Sequence, residues 1–298
     1  LSKFGSSREE DKLAGYLSFL KIGPKLLKFI PVQKVQDLRN WLIIYGYWNA
    51  GGADNVAALF WFLAENYLGL NVGEFLPSID TPNVGLLHPD YSGYFTSPRQ
   101  YLDWYRQTRS ATQAWPVVGL LLYRKHVITK QPYIHQLIQQ FEQAHLVPLP
   151  IFINGVEGHV AVRDLMTTAS ETAQRQQGNR ETLSLSPDAV EVDAIVSTIG
   201  FPLVGGPAGS MEAGRQVDVA KRILSAKNVP YIVSAPLLIQ DIHSWTRQGI
   251  GGLQSVVLYA LPELDGAIDP VPLGGLVGDK LYLIPDRVRR LTGRLKRW

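Results

Sequence analysis

The sequence predicts an α/β fold, an open and mainly parallel sheet with helices on both faces, preceded by an α-helical hairpin region. Three observations carry that prediction. Between residues 194 and 276 short apolar runs alternate with Gly/Pro-rich turns around one amphipathic helical stretch, the pattern of parallel strands whose loops gather at one end of a sheet. VVGLLLY (117–123) and VPLPIFI (147–153) are unbroken apolar runs of strand length with a helical pattern between them, as strands buried on both faces require. Before residue 75 only helical periodicity is present.

Taken in order, residues 12–30 form an amphipathic helical pattern interrupted near Gly23-Pro24, because proline lacks the N–H that the helix interior needs. Residues 35–47 and 54–68 add two helices rich in Trp, Phe and Leu. The basic first helix is expected to dock on these aromatic neighbours, and a peripheral place on a membrane surface is the competing reading. Residues 1–75 are therefore the helical region. Residues 76–116 carry several prolines together with Tyr91, Tyr94, Phe95, Tyr101, Trp104 and Tyr105. Disordered segments are poor in aromatics, so this is expected to be an ordered connector laid against both domains, with a short helix at 98–108.

Residues 117–298 are expected to form the α/β domain. Its strands are 117–123, 147–153, 194–198 and 230–235, with a further one near 267–272. Its helices are 132–145, 160–166, 212–226 with Ser210 as N-cap, and a stretch at 254–261 where Gly251-Gly252 and Pro262 outweigh the β-branched Val256-Val257. Residues 170–188 are polar, Gln-rich and nearly free of large apolar side chains, and read as a mobile excursion.

At 298 residues with 46% hydrophobic and 18% charged side chains, the chain has the composition of a globular protein. It has no cysteine, which excludes disulfides, thiolate metal sites and Cys nucleophiles. The net charge of +3 comes from the last residues, where DRVRRLTGRLKRW (286–298) holds six basic groups and one acid and leaves the remainder slightly acidic. Without a broad basic face the chain is not expected to bind nucleic acid. No apolar run reaches the roughly 20 residues of a transmembrane helix, and no secretory signal is visible. A start at Leu1 and an end inside a basic helical pattern at Trp298 are expected of a piece of a longer polypeptide.

Three loops are too particular for simple connections. In GFPLVGGPAGS (200–210), Gly205, Gly206, Gly209 and Ser210 precede a helix, where backbone N–H groups attract anions. The loop matches neither a P-loop nor a dinucleotide fingerprint, so a wide turn and a site for an anion such as a propionate are its two readings. In QDIHSWTRQGIGG (240–252), His243, Trp245 and Arg247 place an imidazole, an indole and a guanidinium on one segment after a strand; alternatively Asp241 and Ser244 simply cap a helix. In LPELDGAIDPVPLGG (261–275), Glu263, Asp265 and Asp269 offer oxygen ligands to a hard cation, or fix turns at Asp265-Gly266 and Asp269-Pro270. The six histidines show no metal-binding spacing, and no catalytic residue is assigned.

These loops, together with GLLHPDYSGYFTSPRQYLDWY (85–105), LLLYRKHVITKQPYIHQLIQQFE (120–142) and PIFINGVEGHVAVRDLMTT (150–168), closely resemble the large porphyrin-binding subunits of the magnesium chelatase H/CobN family, as an N-terminal portion. The resemblance covers most of the chain and thins at 1–13 and 170–186. It implies part of a large subunit that inserts Mg²⁺ into protoporphyrin IX for (bacterio)chlorophyll synthesis, a ligase forming a nitrogen–metal bond. ATP would be hydrolysed by the AAA+ partners, the I and D subunits, with a porphyrin-carrying accessory protein as a further partner, in the cytoplasm of a cyanobacterium or the chloroplast stroma. The resemblance assigns this chain no bound cofactor of its own, and the fragment alone is expected to be inactive. The competing readings are the large subunit of a cobaltochelatase, acting on a corrinoid, and a scaffold module that touches no tetrapyrrole.

Overall fold

The computed structural model describes residues 22–73, 79–154, 158–178, 183–204 and 217–298. The chain divides into two compact units, 1–81 and 82–298.

In the first unit α1 (Gln33–Ala50) and α2 (Gly52–Leu68) pack on one another through Tyr47, Leu59 and Phe62. Gly51 separates them at φ 66°, a left-handed value that only glycine adopts without strain. Asn55 is buried and spends its amide on backbone, donating to Gly51 O and Ile79 O and accepting from the Ile79 N–H. Most of the helix read over 12–30 lies outside the described residues; its described part, 22–27, is helical through Gly23-Pro24.

The second unit is built on a five-stranded sheet. Its elements are β1 (Gly85–Leu86), α3 (Pro98–Thr108), β2 (Val117–Tyr123), α4 (Arg124–Ile128), α5 (Tyr133–Gln143), β3 (Val147–Ile153), α6 (Gly158–Leu165), β4 (Met166–Thr167), α7 (Ala169–Gln176), β5 (Val190–Glu191), β6 (Ala194–Ser197), α8 (Val217–Lys227) and β7 (Tyr231–Val233). There follow α9 (Ile242–Gln248), α10 (Gly252–Ser255), which runs through a π-helical turn (Val256–Ala260) into α11 (Leu261–Asp265), the hairpin strands β8 (Gly274–Val277) and β9 (Lys280–Leu283), and α12 (Pro285–Leu295).

The sheet order is β1-β3-β2-β6-β7, parallel throughout except for the antiparallel edge strand β1. The α/β fold expected from sequence is present, and period-2 alternation explains its layering. Val117 and Leu121 of β2, with Val147, Leu149 and Ile151 of β3, face a core closed by α3, α6 and α8; Val118, Leu120 and Leu122 face the other, closed by α5 and α12. Gly119 has no room for more, since a Cβ there would lie 2.6 Å from Met166 Sδ.

Three readings change. Residues 82–116, read as part of a connector, belong to the second unit, where Phe95, Tyr101 and Tyr105 are buried in its core. The strand near 267–272 is absent. That stretch runs irregularly beside β7, with Ile268 N–H bonded to Tyr231 O and Val271 N–H to Val233 O, because Pro270 and Pro272 lack donors and Asp269 sits at φ 51°. The hairpin β8–β9 comes instead just after it.

The third change concerns 170–188, read as a mobile excursion. Residues 169–176 form α7, N-capped by the Thr168 hydroxyl on Glu171 N–H. Glu171 is fully buried and its carboxylate meets Lys227 Nζ at 2.8 Å, while the same ammonium also donates to Met166 O and Ser184 Oγ. A polar composition hides this because the partner cation stands 56 residues later, at the end of α8. Among the described residues no helix is long and apolar enough to cross a membrane.

Removing one member of a buried pair strands the other charge. Lys227→Met is expected to cost about 3–5 kcal/mol, read as a lower urea midpoint, and Glu171→Leu added to it should recover most of the loss.

Candidate functional site

In open α/β sheets ligands bind beyond the carboxyl ends of the strands where strand order reverses. Here the chain lays β3 on one side of β2 and then β6 and β7 on the other, so the reversal falls at the β2/β6 pair. Directly after β2 comes α4 with His126, and directly after β6 come Thr198, Ile199 and Gly200. Gly200 has φ 75°, and a Cβ on it would lie 2.5 Å from Leu258 Cδ2, so only glycine lets the chain turn this close to its neighbour.

A chain of buried polar groups links the two strand ends. His126 Nδ1 lies 3.0 Å from the Tyr133 hydroxyl, that hydroxyl 3.3 Å from Thr198 Oγ1, and Thr198 Oγ1 donates to Leu121 O at 2.9 Å. The rings of Tyr123 and Tyr133 stand edge-on to His126. Burial, and secondarily the Lys125 charge, hold the His126 imidazole down at about 4. Burial likewise pushes the Tyr133 phenol up, so both groups are neutral at pH 7.

A second polar cluster lies at the far end of α5. Glu142 accepts from His88 Nε2 at 3.2 Å, from Tyr105 at 3.0 Å and from Arg109 Nε at 3.0 Å. Burial raises the Glu142 carboxyl, and His88, Tyr105 and Arg109 together outweigh it, so the group ends below its usual range. Arg109 also lies over the Tyr105 ring and pairs with Asp90, so this cluster welds the aromatic stretch to α5.

The loop residues singled out from sequence are distributed as follows. Asp241 caps α9, accepting the Ser244 N–H at 2.8 Å. Trp245 is buried against Ala235, Leu237 and Leu258, with the Arg287 guanidinium 4.7 Å above its ring, so its face is already occupied. His243 and Arg247 are exposed on the same helix. Asp265 is fully buried and accepts the Leu203 N–H at 2.8 Å; Asp269 pairs with Arg294 at 2.7 Å; Glu263 is exposed. Among the described residues no group of three or more His, Asp or Glu side chains is placed to hold a metal ion, so these three carboxylates are not brought together. Gly205, Gly206, Gly209 and Ser210 lie outside the described residues.

The model of the family described as CobN/Magnesium Chelatase matches residues 45–298, and a domain of unknown function (DUF3479) matches 1–42. The chain belongs to the CobN/magnesium chelatase family. It is 35% identical to the H subunit of magnesium chelatase from Chlorobaculum parvum over 98% of this chain and 21% of that protein. It is 30% identical to the chloroplastic magnesium-chelatase protein ChlH of Oryza sativa subsp. indica over 95% of this chain and 20% of that one. The catalytic subunit of cobaltochelatase from Mycobacterium tuberculosis shares the fold, with a TM-score of 0.54 at 23% identity over 88% of this chain and 20% of that chain. The chain thus spans about a fifth of the length of the relatives it matches.

Within this CobN/magnesium chelatase chain, sequence reasoning found the loops but missed the His126–Tyr133–Thr198 line. Its members stand seven and 65 residues apart, and the one signal available was that a histidine and a threonine each follow an apolar strand.

Asp265 and Glu263 separate turn-fixing from cation binding. Asp265→Ala leaves the buried Leu203 N–H unpaired and should cost about 1–3 kcal/mol in urea unfolding, while Glu263→Ala should stay within about 0.5 kcal/mol. His126 makes stability pH-dependent. Its pKa is lower folded than unfolded, so between about 6.5 and about 4 the unfolded chain binds a proton that the native state refuses. Urea midpoints should therefore fall as pH drops through that window, and fall less in His126→Gln.

Proposed function

We propose that this chain is part of a large chelatase subunit that binds protoporphyrin IX and takes part in inserting Mg²⁺ into it during (bacterio)chlorophyll synthesis. The observation that carries the proposal is the 35% identity to the H subunit of a magnesium chelatase across 98% of the chain. Mg²⁺ is the cargo of this reaction. Two pyrrole N–H protons must leave and the macrocycle must distort to admit the ion, so the full-length protein must supply an enclosing pocket and a proton acceptor. On this reading ATP is hydrolysed by the AAA+ partners, the I and D subunits, since this sequence contains no Gly-x-x-x-x-Gly-Lys-Ser/Thr. A porphyrin-carrying accessory protein completes the assembly. The complex works in a bacterial cytoplasm or the chloroplast stroma, as a ligase forming a nitrogen–metal bond.

Within this chain our candidates for meeting a porphyrin are His243 and Arg247, both exposed on α9, with Trp245 as the buried anchor that holds the helix. Arg247 suits a propionate through charge-assisted hydrogen bonds. Glu263 stays a candidate on the path of the ion, and Gly205, Gly206, Gly209 and Ser210 stay candidates for an anionic group. The fold shared with a cobaltochelatase protein keeps a corrinoid substrate as the second reading.

The test uses the full-length protein with its AAA+ partners and ATP, offered protoporphyrin IX with Mg²⁺ or a corrinoid with Co²⁺. Formation of Mg-protoporphyrin is expected; turnover of the corrinoid alone would overturn the magnesium reading. In that full-length protein Arg247→Ala should weaken protoporphyrin binding, measured by fluorescence quenching, by about 1.5–3 kcal/mol, roughly ten-fold or more. Trp245→Ala should lower the unfolding temperature instead. Unchanged affinity in a folded Arg247→Ala variant would remove α9 from the porphyrin site.

A further inference from the structure

We infer that the groove beside α4 is a binding site for a flat, largely apolar molecule that donates one N–H or O–H to Nε2 of His126. The inference rests on this chain's own geometry and stands apart from the chelatase reading.

The groove has a volume of about 490 Å³; Leu87, Pro89, Tyr91, Tyr94, Val127 and Ile134 form its apolar wall, and His126 lines it together with the polar His88, Lys130, Gln131 and His135. That volume lies within the range of small-molecule sites, which are apolar with a few fixed polar groups. His126 is the group whose hydrogen-bonding role the fold dictates.

The dictation runs along the buried polar chain. Leu121 O is a carbonyl and can only accept, so the single hydroxyl proton of Thr198, 2.9 Å away, points at it. If that proton turned elsewhere, two oxygens would face each other lone pair to lone pair. Thr198 Oγ1 is then an acceptor toward Tyr133, and the Tyr133 proton is spent on it. The Tyr133 oxygen in turn accepts from His126, which places the imidazole proton on Nδ1. Tyr133 and Thr198 are fully buried, so bulk water does not reach their hydroxyls to scramble the chain.

With Nδ1 protonated, Nε2 keeps its lone pair, and it has no hydrogen-bond partner among the described residues. Burial holds the imidazole at about 4, so it is neutral at pH 7 and stays an acceptor. A lone-pair nitrogen on an imidazole that lines a groove takes either a metal ion or a hydrogen-bond donor. A metal needs further ligands, and among the described residues no cluster of three or more His, Asp or Glu side chains is placed to provide them. The apolar and aromatic walls instead suit a planar ring system. A ligand of the same shape without the donor would leave Nε2 desolvated and unpaired, which is the basis of discrimination.

The test uses this chain with ¹⁵N-labelled histidine and two probes, indole and 1-methylindole, which differ in the presence of the N–H. Long-range ¹H–¹⁵N spectra at pH 7 should show His126 protonated at Nδ1 and bare at Nε2. Indole should shift the Nε2 resonance and bind roughly five-fold more tightly than 1-methylindole. In His126→Phe the two probes should bind alike. Tyr133→Phe, checked for retained fold, should release the tautomer into a mixture. A proton found on Nε2 in the wild type overturns the inference, as does equal affinity for the two probes or the lack of any indole-induced shift at His126.

Discussion

The second unit depends on β2 being buried on both faces. Leu120, Leu121 and Leu122 follow one another and all three are fully buried, which a strand can satisfy only if the sheet is covered above and below. Hydrogen bonding to β3 on one side and β6 on the other removes its backbone from water as well. The helices follow from that demand. The amphipathic α5 and α12 cover one face and α3, α6 and α8 the other, and the aromatic stretch before β2 is drawn into the core.

Covering both faces leaves the strand ends as the place for polar side chains, and most of those buried there are paired, Ser234 Oγ after β7 being an exception. Tyr133 and Thr198 are satisfied through one another and Leu121 O; Asp265 takes the Leu203 N–H; Glu171 and Lys227 take each other. These groups tie loops of distant sequence to the sheet. Asp265 reaches back 62 residues to the turn that opens the Gly-rich loop, and Lys227 reaches 56 residues to α7. Burying them costs free energy that apolar residues would not; Thr198 and Asp265 are buried at the carboxyl ends of the strands, and Glu171 with Lys227 just before β7.

Family membership and site geometry are separate findings here. The family is carried by similarity along nearly the whole chain, while the relatives are about five times longer, so on the proposed function a tetrapyrrole cavity draws on sequence beyond these 298 residues. What this chain contributes is a sheet whose carboxyl-end loops hold two exposed polar side chains on α9, a neutral imidazole on α4 and a buried carboxylate bonded to Leu203 N–H. Trp245 shows how one loop divides its labour, since its ring anchors α9 under Arg287 while His243 and Arg247 remain exposed.

The sequence by itself determined the α/β class, the main strands of the sheet and the family, because period-2 and period-3.6 burial are written in local order and loop sequences carry the likeness. It also offered Asp241 as a helix cap, which acts within three residues. Only the tertiary structure decided that residues 169–176 are a helix with a buried acid, that Pro270 and Pro272 keep their segment out of the sheet, and that Glu263, Asp265 and Asp269 part company. It alone brought His126, Tyr133 and Thr198 into one line. The reason is the same in each case: whether a polar group can be buried depends on a partner supplied by another element, and the spacing of residues along the chain carries no record of which elements meet.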